Sequence, residues 1–234
     1  MKLICMDTSA QVASLAAMED GALVAERWQL YRKNHSKILL PMLEDMLGML
    51  GWAPRDVDVW SAITGPGSFT GVRIGVTTAR ALAHAWDKPV VGISALEALC
   101  MDAPQAPGWV APLMDARRNQ VYAAAYAFEG DALCPCIAPA ACALEEMLAK
   151  LADRDATFVG DGACLHREAI AQAMGARAHF LPAHLGVQRA SAAAVLAYAR
   201  ASAGETAHYN TLLPLYLRAP QAEREYAKRR AQGE

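Results

Sequence analysis

GPGSFTGVRIGVTTARALA, running from Gly65 to Ala83, decides how the chain is read. Two glycines around a proline break any preceding strand. From about Thr70 to Trp86 the residues then follow a helical period. Val72, Val76, Ala79, Leu82, Ala83 and Trp86 form the apolar side, and Arg73, Thr77, Arg80 and His84 a polar stripe. Val57 to Ile63, just upstream, reads as a central strand, so the unit is strand, glycine turn, helix. Amides at a helix N-terminus attract anions, which makes Gly65, Gly67, Ser68 and Thr70 candidate phosphate contacts. The spacing matches no standard loop. A Walker loop and a dinucleotide fingerprint both need glycine where Thr70 stands, and a nucleophile elbow needs glycine at Pro66. Gly71, Gly75 and Ala79 form a small-residue ridge, which fits equally well a turn that lets the helix lie close on its sheet.

Upstream, Lys2 to Asp7 is a short apolar run that reads as a buried strand. Val12 to Met18 and Ala22 to Leu30 flank Glu19-Asp20-Gly21, a hairpin signal. Asp7, Thr8 and Ser9 place a carboxylate and two hydroxyls at the end of the first strand. Such a group suits a magnesium-bound phosphate or an Asx-turn into the hairpin. His35 to Leu50 is apolar nearly all round, as in a helix buried on more than one side. Pro41 inside it implies a kink or a later start. The residue four after His35 is Leu39, so no histidine pair for a metal is present and His35 reads as a helix-start residue.

Downstream, Val90 to Ile93 reads as a buried strand, with Ser94 capping a helix through Cys100. Asp102 to Gly108, with two prolines and a glycine, is the expected boundary. It divides the chain into lobes 1–104 and 105–218, followed by a loose polar tail, 219–234, basic near its end. In the second lobe Trp109 to Met114, Gln120 to Phe128 and Thr157 to Val159 read as strands. Leu144 to Ala152, Ala163 to Met174 and Ser191 to Ser202 read as helices. Asp115, Arg117 and Arg118 set one acid and two guanidinium groups at a strand end. They form either an ion pair holding a turn or a contact for a nucleotide or partner. Gly160-Asp161-Gly162 reads as a helix cap. The six cysteines are scattered and read as reduced, mostly buried thiols rather than a zinc site.

With 22 basic and 24 acidic residues, the 234-residue chain carries a formal charge of −2. Near-neutrality excludes capture of nucleic acid or acidic membrane by the whole surface. The 54% hydrophobic and 20% charged composition excludes a disordered chain. No run approaches the roughly 20 apolar residues of a membrane span, and Asp7 interrupts any signal-peptide core; a cytoplasmic location is expected. Alanine makes up about a fifth of the chain. Ala79, Ala81, Ala83 and Ala85 sit in the decisive helix, whereas Ala190 to Ala203 lies away from any motif and reads as background composition. Strands and helices in this order suggest two similar α/β lobes, compatible with the actin-like ATPase and sugar-kinase architecture but not unique to it.

The residues from Gly65 to Ala83 resemble the signature of the bacterial TsaB (YeaZ) family. Met6 to Ser9 (MDTS), His35 to Pro41 (HSKILLP), Gly92 to Leu99 (GISALEAL), Asp115 to Tyr126 (DARRNQVYAAAY), Gly160 to Gly162 and Pro214 to Arg218 (PLYLR) carry the resemblance across almost the whole chain. It implies a two-lobed actin-like ATPase (ribonuclease H-like) α/β fold, each lobe a mixed sheet with flanking helices. It also implies a part in making threonylcarbamoyladenosine beside the anticodon of tRNA. This would be as a non-catalytic partner of the transferase TsaD, together with the ATPase TsaE and a carbamoyl-adenylate source. ATP or ADP and a divalent metal would act in the complex, with no cofactor required by this chain alone. tRNA would be met indirectly, and the isolated chain would pair with itself. The family's catalytic paralogue holds its metal with HxxxH; here Leu39 takes the second position. Asp7, Thr8, Ser9 and the Gly65–Gly71 turn would then be remnants of a nucleotide site or shared with the partner. The expected partner surface is Leu39, Leu43, Met46 and Leu50 of one helix with Val72, Gly75, Val76, Ala79 and Leu82 of the next. Glycoprotease and free-standing kinase readings stand as alternatives.

Overall fold

The computed structural model describes residues 1–30, 35–182, 185–186 and 188–218. The chain opens with β1 (Lys2–Asp7), β2 (Val12–Glu19) and β3 (Ala22–Leu30). Asp20 and Gly21 both take left-handed backbone angles at the β2–β3 turn, as an Asp-Gly hairpin requires. Helix α1 (His35–Leu50) leads to β4 (Val59–Gly65), α2 (Phe69–Ala85), β5 (Val90–Ser94) and α3 (Ala95–Cys100). The second half holds β6 (Trp109–Asp115), β7 (Gln120–Glu129), β8 (Ala132–Ala143), α4 (Leu144–Lys150), β9 (Ala156–Val159), α5 (Asp161–Leu165), α6 (Arg167–Met174), β10 (Ala178–Phe180) and α7 (Ala190–Ser202).

The two sheets repeat one plan. The first has the order β3-β2-β1-β4-β5 and the second β8-β7-β6-β9-β10. In each, the first three strands are antiparallel neighbours and the last two run parallel to the first. This duplicated 3-2-1-4-5 arrangement is the ribonuclease H-like sheet, paired as in actin-like ATPases.

Three apolar clusters stack through the molecule. One lies between α1, α2 and the outer face of the first sheet, centred on Ile4, Met6, Leu39, Met46, Trp60 and Val76. A second covers the outer face of the second sheet beneath α4 and α6. The third lies between the sheets, where α3 and α7 pack. It joins Leu3, Cys5 and Ile93 of the first sheet to Val110, Met114 and Tyr126 of the second. Helix, sheet, helix, sheet and helix layers therefore succeed one another.

Several expectations change. α7, which falls in the expected second lobe 105–218, packs on β1, β2 and β5 of the first sheet. Its alanines are not background: Ala190, Ala193, Ala194 and Ala197 are fully buried, and small side chains let a helix fit between two sheets. α1 starts at His35 and runs through Pro41. The expected helix from Ala163 to Met174 is two helices that meet at His166. β8 and β10 were not anticipated. Three cysteines, at positions 5, 100 and 142, are buried, but Cys136 and Cys164 are exposed. The expected tail, 219–234, lies outside the described residues.

Candidate functional site

The end of β1 meets the start of α2 at the base of an interlobe cleft of about 980 Å³. Asp7, Thr8 and Ser9 are each 1% exposed. Asp7 Oδ1 accepts from the Ser9 amide at 2.8 Å and from the Ser9 hydroxyl at 2.7 Å, which makes an Asx-turn. The Ser9 Oγ in turn accepts from Gln188 Nε2 at 3.0 Å. Asp7 Oδ2 is buried and has no hydrogen-bond partner among the described residues. Burial pushes the Asp7 carboxyl above the usual carboxylate range, opposed by the Ser9 bonds.

The glycine turn is seated on these residues. The Thr8 hydroxyl donates to the Gly71 carbonyl at 2.7 Å, and the Ser68 amide donates to the Ser9 carbonyl at 2.7 Å. Ser68 caps α2, its Oγ accepting from the Gly71 amide at 3.3 Å. A β-carbon at Gly67 would overlap Ser9, and one at Gly71 would overlap the Thr8 carbonyl. At Gly65 it would stand 2.5 Å from the Leu215 carbonyl oxygen. The space that glycines leave open is thus filled by the chain's own carbonyl groups. Thr70 is exposed at the cleft edge, and Gly75 faces the Thr8 hydroxyl, where a β-carbon would come to 2.8 Å.

Opposite stands the β6–β7 turn. Arg117, Arg118 and Asn119 all have left-handed backbone angles, with φ of 60°, 57° and 57°. Such a run is strained for residues other than glycine. Asp115 Oδ1 accepts from the Arg117 amide at 2.7 Å, and Asp161 Oδ1 from the Asp115 amide at 3.1 Å. Asp115 and Arg117 therefore meet through backbone, not as an ion pair. Burial raises the pKa of Asp161. Arg117 lines the cleft; Arg118, next to it, is exposed.

Pro214 to Arg218, quoted above for the resemblance but given no role in a site, crosses the cleft mouth. The Leu215 amide donates to the Thr64 carbonyl at 2.7 Å, and Arg218 Nη1 donates to the Ala116 carbonyl at 2.9 Å. Between them Tyr216 stacks on Phe69, with centroids 4.8 Å apart. Arg73 sits 4.0 Å over the Phe69 ring and donates from Nε to the Tyr216 hydroxyl at 2.9 Å. The PLYLR residues thus strap the first lobe to the second. Gln188, which completes the Ser9 bonds, carried no sequence signal.

The expected partner surface is corrected by burial. Leu39, Leu43, Met46, Val72, Val76 and Ala79 are at most 3% exposed, and Gly75 is buried. They hold α1 and α2 to the chain's own first sheet, so these side chains are already in contact. Of the nine residues, only Leu50 and Leu82 keep part of their surface. Outward on α1 stand Leu40, 54% exposed, and Met49, 65% exposed. Among the described residues no three His, Cys, Asp or Glu side chains are placed to hold a metal, and no helix is long and apolar enough to cross a membrane.

A family model described as "TsaD: tRNA N6-adenosine threonylcarbamoyltransferase" matches residues 29–226. Similarity extends over nearly the full length to the tRNA threonylcarbamoyladenosine biosynthesis protein TsaB of Bacillus subtilis. That match is 32% identical over 225 residues and covers 95% of this chain and 96% of that one. The TsaB protein of Escherichia coli is 35% identical over 128 residues, 54% of this chain and 55% of that one. The structure of YeaZ from Pseudomonas aeruginosa superposes with a TM-score of 0.81 at 30% identity, covering 92% of this chain and 99% of that chain. With the signature helix, the seated glycine turn and the duplicated sheet in place, the chain belongs to the TsaB (YeaZ) family of tRNA threonylcarbamoyladenosine biosynthesis proteins.

Proposed function

We propose that the chain is a non-catalytic scaffold subunit. It works with TsaD, TsaE and a carbamoyl-adenylate source to place the threonylcarbamoyl group on the adenosine beside the anticodon. Leu39 carries this reading. In HSKIL it stands where the resemblance puts the catalytic paralogue's second metal-binding histidine. Here it is 1% exposed, within the same apolar cluster as Met42, Met46, Val72 and Val76. A side chain built into the core cannot double as a metal ligand. The cradle points the same way, since the room beside Gly65, Gly67 and Gly71 is taken by protein carbonyls that would repel phosphate. The nucleotide and the divalent metal then belong to the assembled complex, and tRNA is engaged through that complex.

Partner docking falls to the outward faces of α1 and α2, with Leu40, Met49, Leu50 and Leu82 as its apolar part. Burial there contributes about 25 cal/mol per Å² before association costs. Without TsaD the same face suits a second copy. The test is reconstitution with TsaD, TsaE and the carbamoyl-adenylate source, with tRNA modification measured with and without this chain. Modification that requires the chain, in wild-type form and equally as Asp7→Asn, supports a scaffold. Modification lost with Asp7→Asn while the TsaD complex still forms overturns it.

A further inference from the structure

Four arginines stand at or beside the cleft mouth: Arg117 and Arg218 line it, Arg118 follows Arg117 on the turn, and Arg73 packs on Phe69 beside Tyr216. None of the four forms an ion pair among the described residues, as is also true of Arg80, Arg154, Arg167 and Arg177; what distinguishes the four is that they stand together. Two acids share the cleft lining, each held by backbone rather than paired with these guanidinium groups: Asp115 accepts from the Arg117 amide, and Asp161 accepts from the Asp115 amide. Aromatic planes lie among these cations. Tyr216, 38% exposed, stacks on Phe69 with Arg73 beside both, and Arg218 ties the strap to the arginine turn.

From this arrangement we infer that the strap and the β6–β7 turn form a contact site for the phosphodiester backbone and an unpaired base of single-stranded RNA. Guanidinium groups spread around an open mouth suit successive phosphates, and an exposed ring supplies a stacking platform for any base. A free nucleotide fits less well. Its phosphates need amides converging on the cleft floor, and there the glycine turn is closed by carbonyls. The overall charge of −2 agrees with a local site rather than a basic surface. The left-handed run at Arg117–Asn119 holds two adjacent guanidinium groups on a fixed turn. The inference rests on the proposed place of the chain in tRNA modification and specifies which of its residues the RNA meets.

The test uses the full chain in complex with TsaD and a fluorescent anticodon stem–loop RNA, read by anisotropy over a salt series. Asparagine tolerates left-handed angles, so Arg117→Asn with Arg118→Asn should leave the turn intact. This pair is expected to weaken RNA binding about tenfold and to flatten the log–log salt slope by roughly 1.4, about 0.7 for each lost phosphate contact. Tyr216→Ala should weaken binding as well, and Tyr216→Phe should largely retain it. Unchanged affinity and slope in folded, TsaD-bound variants would overturn the inference, as would displacement of the RNA by ADP. Loss of TsaD co-elution in the wild-type chain would instead strike the scaffold reading. RNA binding by the chain alone, sensitive to the same arginines, would leave the present inference standing.

Discussion

The hydroxyl of Thr8 donates to the carbonyl of Gly71 at 2.7 Å, and the backbone at Gly71 lies against the Thr8 carbonyl with no room for a β-carbon. Two residues 63 positions apart thus clamp the end of β1 to the first turn of α2. Gly71→Ala is expected to destabilise the chain by about 2 kcal/mol or more, since backbone rather than a flexible side chain must move. Thr8→Val keeps the shape but removes the hydroxyl bond to the Gly71 carbonyl, at a cost of about 0.5–1.5 kcal/mol. Urea unfolding of both variants checks the clamp, and wild-type stability for Gly71→Ala would refute it.

Asp7 sets a pH dependence. Its pKa is raised by burial, with the Ser9 bonds acting the other way. The folded chain therefore holds this proton more tightly than the unfolded chain. Stability falls as pH rises from the usual carboxylate value, about 4, through the raised folded value, and the full penalty remains above it. Asp7→Asn keeps an acceptor for Ser9 and removes the charge. It is expected to raise the thermal midpoint at neutral pH, with the gain vanishing below the usual carboxylate range. A lowered midpoint at neutral pH would contradict this.

Core and surface on α1 should separate cleanly. Met46 is 0% exposed, so Met46→Glu buries an unpaired carboxylate. It is expected to cost several kcal/mol, of the order of 3–5 as for other uncompensated buried charges, and to abolish TsaD binding only by unfolding the chain. Leu40→Asp with Met49→Asp should leave the thermal midpoint within a few degrees and weaken co-elution with TsaD. A folded double variant that co-elutes as the wild type does would move the docking face elsewhere.

The strap should loosen locally. Tyr216→Ala removes the Phe69 stack and the bond from Arg73, together worth about 1–2 kcal/mol. Hydrogen exchange should speed up at the Leu215 amide while the β1 and β4 amides keep their protection. Uniform acceleration across both lobes would show that the strap instead governs global stability.

The parts of the fold that follow a local period were legible in the sequence. The β2–β3 hairpin declared itself through Asp20-Gly21, and α2 through its apolar spacing. β8 escaped because Pro135 and Pro139 interrupt it, which an edge strand of the second sheet tolerates. α7 escaped as a packing element because alanine carries little apolar contrast, although its smallness is what fits it between two sheets. The candidate site was half visible. Asp7, Thr8, Ser9 and the glycine turn were found, but whether their gaps receive a ligand or the chain's own carbonyls depends on a β1–α2 contact that spacing does not reveal. Reading Leu39, Leu43 and Met46 as a surface failed for a similar reason: an all-round apolar helix has to be buried, but the pattern does not say against what. Tyr216 joined the site through a strap whose two anchors, Thr64 and Ala116, are remote in sequence.

Helix α7 closes the inner face of a sheet whose strands β1 to β5 are all synthesised before residue 95. The second sheet, by contrast, draws all its strands from one contiguous stretch, Trp109 to Phe180. During translation, therefore, the half of the molecule that emerges first cannot complete its core until Ser202 has left the ribosome, whereas the later half has its sheet in hand earlier. The order of birth and the order of completion are reversed. Until α7 arrives, Leu3, Cys5 and Ile93 remain an apolar surface that the nascent chain has to shield.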